Sequence, residues 1–454
     1  MAEIKGFRGV RYDASRTNGA LDTLVAPPYD VISPQEQDAL YAKHPKNVVR
    51  LILGREDDKY SAAARAFREW LADGTLTADP DPAVYVYRQS FQDPLTGQAC
   101  PERIGLVCLL KLEEYATGGV LPHENTLTAA KADRLELLRA SEAQFESIYG
   151  LYSDPDRAVQ SFLGEYDDRE PVMEAVADAI GSSHAMERIN DENALQALQN
   201  LLRDKKIFIA DGHHRYETAL NYRRETRAAQ NVPDGETIPA DYILITLTAF
   251  EDEGLLVLPT HRLVRGAEGD KINGLRAALA PEFTVQPLPT APSSGGGREA
   301  SSTADARTLE QAIEDQAKAG QVAFGIALPD GVFVATLQQG VGAASGDGAG
   351  ASASALSRLP VTLLQTRILE GKLGIDAGAL AAGGQVAYTR DAAEALSQVR
   401  SGEYQAAFVL GRPAVSEVRD VSLAGDKMPQ KSTFFFPKLL SGLLLRDLRL
   451  GDDA

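Results

Sequence analysis

Cysteine is nearly missing from this chain of 454 residues: there are two, Cys100 and Cys108, and they lack a CxxC spacing. Two such thiols make neither a disulfide framework nor a zinc site, so a structural role is expected for both. No apolar run approaches the roughly 18 to 20 residues needed to cross a bilayer. The start, Met1-Ala2-Glu3-Ile4-Lys5-Gly6, lacks the basic-then-apolar design of a signal peptide. A cytoplasmic chain without membrane association is therefore expected. Basic charge is also short: 46 Lys and Arg face 64 Asp and Glu, for a net charge of −18 spread along the sequence. Such a field repels a polyanion and argues against nucleic acid as a partner, while leaving room for a local basic pocket that takes a small phosphorylated ligand. No internal repeat of solenoid length is visible.

What is present reads as mixed α/β. The length exceeds what one core organises, which predicts either two domains or one elaborated α/β domain with a C-terminal subdomain. The boundary is drawn at 265, giving 1–265 and 266–454. Pro34 to Lys43 and Tyr60 to Ala72 read as helices, and Ala83 to Gln89 and Arg103 to Leu112 as the two arms of a hairpin across Asp93-Pro94 and Gly97. Helical spacing predicts Lys131 to Ser141 and a further helix within Glu187 to Asp204; the short apolar run Lys206 to Ala210, bounded by Asp-Gly, predicts a buried strand. In the second half, 289–306 and 338–355 are dominated by Gly, Ala and Ser and read as mobile loops. Between them Leu309 to Leu337 reads as a helix and then a hairpin turning at Pro329-Asp330-Gly331. Asp391 with Glu394 forms a capping box, Gly402 closes that helix, and the strand Gln405 to Leu410 follows.

The chemistry concentrates in four segments. Asp211-Gly212-His213-His214-Arg215 turns from the buried strand into a helix N-terminus. Unpaired N–H groups and the macrodipole favour an anion there, and Gly212 lacks a Cβ that would block a phosphate. Arg215 can add a bidentate contact, and Asp211 could bind a metal or accept a proton. A bland alternative has Asp211 as an N-cap and the histidines merely solvated. Four of the six histidines, His123, His213, His214 and His261, fall in motif-like segments. Asp211, His123, Glu124 and His261 could assemble a divalent metal site if folding brings them together, but no HxxxH or HxxEH spacing forces it. Ala26-Pro27-Pro28-Tyr29-Asp30 is stiff and could hold Tyr29 and Asp30 at a pocket rim, or simply shape a turn. Lys431, Ser432 and Thr433 offer a cation and two hydroxyls as a phosphate contact set, without the GxxxxG of a Walker loop, ahead of an aromatic Phe434-Phe435-Phe436.

APPYDVIS, HENTL with KADRLELL, DGHHRYETAL, LPTHRLV and MPQKSTFFFPKLLSGL occur in that order. By these motifs the chain resembles, almost end to end, domain-of-unknown-function family 1015 of bacteria and archaea. DGHHRYETAL and its preceding strand also look like the phosphate-binding box of the ParB and sulfiredoxin superfamily, and are especially similar to the DGHxR of free serine kinases. That narrower resemblance implies a ParB/sulfiredoxin-like nucleotide-binding core with a C-terminal α/β subdomain, with Gly212, His213, His214 and Arg215 on the phosphates and Asp211 as the catalytic or metal-binding carboxylate. It further implies ATP, ADP or CTP as the nucleotide, Mg2+ as a bridge, and a small metabolite as acceptor. The relatives place the box early, whereas here it begins at residue 211; their N-terminal acid has no clear counterpart, Asp30 and Glu124 being the candidates, and no helix-turn-helix reader is found. The leading expectation is a nucleotide-dependent phosphotransferase or nucleotide hydrolase. A non-catalytic nucleotide sensor is the alternative, and direct DNA binding ranks last.

Overall fold

The computed structural model describes residues 2–17, 21–126, 128–166, 168–289, 298–340 and 355–451. It divides into two compact units, Met1–Leu256 with Phe435–Ala454, and Val257–Phe434. The sequence reading kept 266–454 together; in the structure the last segment belongs to the first unit.

In the first unit a mixed sheet runs, edge to edge, through Val120–Leu121, Ile207–Asp211, Ile148–Tyr152, Tyr242–Ala249, Arg103–Lys111, Val84–Ser90, Ser183–Ile189 and Glu170–Ala177, with Ile4–Lys5 paired beside Arg103–Lys111. Ile207–Asp211 lies parallel to Val120–Leu121, and Tyr242–Ala249 parallel to Ile148–Tyr152; the other pairings are antiparallel. Strand alternation sends successive residues to opposite faces. Leu106, Cys108 and Leu110 accordingly pack with Leu198 and Leu202 of the helix Glu192–Leu202 and with Tyr216, Ala219 and Leu220 of the helix His213–Gln230. Val107 and Leu109 face the other way, among Tyr85, Tyr87, Leu443 and Leu444. Both faces are therefore covered, and the C-terminal tail supplies part of one cover. The expected hairpin forms between Val84–Ser90 and Arg103–Lys111. The helix Pro34–Lys43 opens on a reciprocal capping box between Ser33 and Glu36, with Pro34 in the first turn. Cys100 and Cys108 are not joined in a disulfide, and Cys108 is buried in the core, where burial pushes its ionisation far up.

The second unit holds a six-stranded antiparallel sheet in the order Phe283–Pro287, Gly331–Leu337, Ala323–Leu328, Ala406–Leu410, His261–Val264, Val386–Thr389. Leu309 and Ile313 of the helix Arg298–Lys318 and Leu396 and Val399 of the helix Ala392–Ser401 pack with Ala407 and Val409 of the sheet. The expected loop over 289–306 is thus helical from Arg298 onward. Composition misled here because a tertiary contact, invisible locally, fixes the early turns: Arg400 donates to the Ser302 hydroxyl at 2.6 Å and to the Asp305 carboxylate. Residues 290–297 and 341–354 of the two expected loops lie outside the described residues. Asp391 does cap its helix, accepting from Ala393 and Glu394 N–H, but Glu394 takes the Thr389 hydroxyl instead of closing the box; Gly402 ends the helix at φ 81°.

Candidate functional site

The strand Ile207–Asp211 and the shorter Val120–Leu121 run parallel, Ile207 opposite Val120 and Phe208 opposite Leu121, and each leads into one of the motifs: DGHHR after the first, HENT after the second. Parallel strands thus deliver two loops to one sheet end. A one-residue bulge between Ile209 and Asp211, in the pairing with Ile148–Tyr152, re-aims the last residue of the strand. Gly212 then takes φ +90°, a left-handed conformation that side-chain-bearing residues seldom adopt. A Cβ there would stand 2.8 Å from Ile148 Cγ2 and 3.1 Å from an Arg215 nitrogen, so glycine is required for space as well as for backbone.

Gly212, not Asp211, is the N-cap of the helix His213–Gln230, and it supplies no side-chain acceptor. The helix begins with the bond from Tyr216 N–H to the Gly212 carbonyl, and its first-turn N–H groups point toward the turn. Asp211 is occupied elsewhere. Its Oδ1 accepts from Lys438 Nζ at 2.7 Å and its Oδ2 from an Arg215 terminal nitrogen at 3.1 Å. Burial works to raise the Asp211 carboxyl's ionisation, and the charges of Lys438 and Arg215 overcome that and hold it well below the usual carboxylate range. With side-chain exposures of 19%, 13% and 12%, the three groups are screened far less than a surface pair. Asp211 thus brings two cations together at the turn, and the helix N-terminus adds its partial positive charge there.

Two further supports fix these cations. Arg215 also donates to the Ser147 carbonyl at 2.7 Å. Burial works against its charge, and Glu146, Asp211 and Asp30, in that order, more than offset this, so the guanidinium ionises above its ordinary range. The backbone around Lys438 is gripped by Arg103, which is 1% exposed and donates to the carbonyls of Phe436, at 2.9 Å, and Pro437; Gln89 accepts from Arg103 and donates to the Lys438 carbonyl at 3.3 Å. A buried polar pair thereby aims a lysine at an aspartate 227 positions earlier in the sequence.

The histidines of the two loops stack edge to face, with ring centroids 4.7 Å apart. His123 Nδ1 lies 2.7 Å from the Ile209 carbonyl; a carbonyl only accepts, so Nδ1 carries the proton. The His123 backbone N–H donates to His213 Nε2 at 3.3 Å. Both rings are buried, and burial pulls His123 down to about 4, so it is neutral at physiological pH. Farther along the helix, Glu217 accepts from Thr126 and Lys131 at 2.7 and 2.8 Å and ties the HENT loop to the DGHHR helix.

Among the residues singled out from sequence, Asp211, Gly212, His213, His214 and Arg215 share the turn, with His123 against it and the half-buried Glu124 next in the chain. Asp30, exposed in the single turn Tyr29–Val31, is near enough for its charge to act on Arg215. Lys431, Ser432 and Thr433 belong to the second unit, where the Ser432 hydroxyl donates to the Pro429 carbonyl and the Lys431 carbonyl accepts from Arg262. Among the described residues no group of three or more His, Cys, Asp or Glu side chains is placed to hold a metal ion, such as the grouping of Asp211, His123, Glu124 and His261 that the sequence left possible. His261, buried in the second unit, has its Nδ1 on the Leu410 N–H at 3.2 Å. Sequence reasoning missed Lys438 and Glu146. The segment containing Lys438 was singled out, but weight fell on Lys431, beside two hydroxyls; nothing in local spacing distinguishes the lysine after Pro437.

Among the described residues no helix is long and apolar enough to cross a membrane. No curated protein matches the sequence. Solved structures similar to this one include a conserved hypothetical protein from Pyrococcus furiosus, 13% identical over 73% of this chain and 92% of that one, at a TM-score of 0.35. A free serine kinase in complex with AMP is 12% identical over 72% of this chain and 86% of that one, at 0.34. SbnI with a C-terminal truncation, from Staphylococcus aureus, is 7% identical over 77% and 90%, at 0.32. Likeness at this level fixes neither ligand nor reaction. The family model described as Protein of unknown function (DUF1015) matches residues 4–362, and the chain belongs to that family.

Proposed function

We propose that the Asp211–Arg215 turn binds the phosphates of a nucleotide, ATP, ADP or CTP, and that the protein is a nucleotide-dependent phosphotransferase or nucleotide hydrolase acting on a small metabolite. The observation that carries this reading is the Asp211 carboxylate holding Lys438 and Arg215 together beside a helix N-terminus that opens on a left-handed glycine. The resemblance of DGHHRYETAL to the phosphate box of ParB and free serine kinases supports it. The N–H groups of His213 and His214, with Gly212 allowing close approach, take phosphate oxygens; Lys438 and Arg215 supply charge. Phosphoryl transfer asks a protein mainly for positioning and charge neutralisation, which this turn is built to give.

Asp211 fits poorly as a general base, because a carboxyl held so far below its ordinary range takes up no proton near neutrality. Its part is to keep two cations in place until phosphate takes them over. Asp30 and Glu124 are then the carboxylates available to orient the acceptor, while Lys431, Ser432 and Thr433, within the second unit, are by themselves a cation and two hydroxyls suited to a phosphate. Asp211 also fits poorly as a ligand of resident Mg2+, since a divalent ion on its oxygens would be repelled by Lys438 and Arg215; no step is assigned to a metal. The weak basicity of Asp211 equally favours a second reading, a sensor that binds nucleotide without chemistry. Calorimetry with ATP, ADP and CTP tests the binding. The wild-type protein is expected to bind at least one, and Lys438→Ala and Arg215→Ala to bind it at least about tenfold more weakly with circular dichroism unchanged. Equal affinity in both variants refutes the site, and a turnover assay against a metabolite pool separates enzyme from sensor.

A further inference from the structure

Glu146 lies outside every motif quoted above, yet it touches or charges four of them. Its side chain is only 6% exposed. Oε1 accepts from the Tyr29 backbone N–H at 3.0 Å, in APPYD, and from the Ser441 hydroxyl at 3.1 Å, three residues beyond Lys438. Oε2 stands 4.0 Å from Arg134 of KADRLELL, whose guanidinium lies over the Tyr29 ring at 4.0 Å. Of the charges acting favourably on Arg215, that of Glu146 is the largest. The next residue, Ser147, gives Arg215 its carbonyl. Such a carboxylate is costly to bury and needs compensation from each partner.

Packing alone does not set Arg215. A cavity of about 60 Å³ borders it, lined also by Glu146, Arg134, Gln144, Thr218 and Leu137. A guanidinium beside open space is held on that side by charge and hydrogen bonds alone. We infer that Glu146 is a positioning residue of the phosphate site, one buried carboxylate that sets Arg215 and registers the Tyr29–Asp30 rim and the Lys438 strap on the helix His213–Gln230. This rests on the phosphate-site reading above.

Glu146→Gln is the informative variant, because its amide oxygen still accepts from Tyr29 and Ser441 while the charge is gone. Proteins carrying 15N-arginine give side-chain Nε–H signals by NMR, and the signal lost in Arg215→Lys identifies Arg215. In Glu146→Gln that signal is expected to broaden and to exchange with water at least tenfold faster, with the melting temperature little changed and the ATP dissociation constant raised about tenfold. A carboxylate with a merely structural part leaves the signal where it was, and one that only repels phosphate makes ATP bind more tightly when removed; either result overturns the inference. Should the wild-type protein bind no nucleotide, the phosphate-site reading fails by itself, and the arginine signal, which needs no ligand, still decides the role of Glu146.

Discussion

Each unit holds an arginine with little exposure, Arg215 in the first turn of a helix and Arg262 within a strand, and the two are satisfied by different chemistry. Arg215 in the first unit shares a carboxylate with Lys438 and adds one backbone carbonyl. Arg262 in the second, 3% exposed, donates to backbone carbonyls of Thr260, Gln430 and Lys431, the last two at 3.3 and 3.2 Å. A carbonyl cannot be surrendered without reshaping the loop that carries it, so Arg262 is framework. A carboxylate can be exchanged for another anion with the cations left in place, so Arg215 and Lys438 can serve a ligand. Within the first unit the same contrast separates them from Arg446, whose guanidinium donates to the carbonyls of Tyr242 and Pro239.

The largest effect expected to test that division is a loss of stability in acid. Burial pulls His123 down to about 4 and His261 to about 3. Unfolded histidine titrates near 6.5, so on acidification the unfolded state takes up these protons first. Stability is therefore full above about pH 6.5 and falls as pH drops toward 4 for His123 and 3 for His261, by on the order of 3 and 5 kcal/mol respectively. Urea midpoints between pH 7 and pH 4 measure the slope. His261→Gln should flatten it and leave nucleotide affinity at pH 7 unchanged, as befits a framework group; an affinity change of tenfold would place function in the second unit's corner.

Arg262→Ala comes next. Removing the guanidinium strands three carbonyls and should cost about 3 kcal/mol, read as a lower denaturation midpoint. Nucleotide affinity of the folded fraction should stay within a factor of two. The division between framework and exchangeable cations breaks if affinity falls with stability.

How much of this was legible beforehand depends on reach along the chain. The strand Ile207–Asp211 and the helix behind Gly212 rest on local chemistry, an apolar run closed by Asp-Gly, and the sequence predicts both; the left-handed backbone of Gly212 emerges only in the structure. Asp211 as a candidate cap went the other way, because its partner Lys438 lies 227 residues downstream and no periodicity links them. The helix start at Arg298 was hidden for the same reason: Ser302 and Asp305 look like loop residues until Arg400 arrives. Glu146 carried no signal at all, since the second of two glutamates in SEAQFESIYG gains its partners only through Tyr29, Arg134 and Ser441. Motif residues were visible; the residues that hold the motifs together were not.

In the first unit, Lys438→Met removes one of the two exchangeable cations while Arg215 keeps Asp211 paired. ATP affinity should drop about tenfold, near 1.4 kcal/mol, with a smaller change in stability. Calorimetry and thermal melting report the two quantities separately. A variant that loses stability but not affinity would put Lys438 beside Arg262 as framework.

Asp211→Asn carries the smallest effect and the most telling sign. If the carboxylate is the anion that holds the cations until phosphate displaces it, then replacing it lifts a competitor, and ATP should bind a few-fold more tightly even though the unliganded protein is less stable. The pH dependence runs the same way. The Asp211 ion pair contributes stability above the ordinary carboxylate range and loses it only as pH falls through the depressed folded value, so wild-type affinity should owe nothing to Asp211 titration between pH 7 and pH 5. Weaker binding in Asp211→Asn would mean that the carboxylate orients the cations for the ligand and is not displaced by it. The contrast with Arg262 would then narrow from exchangeable against fixed to two kinds of fixed support.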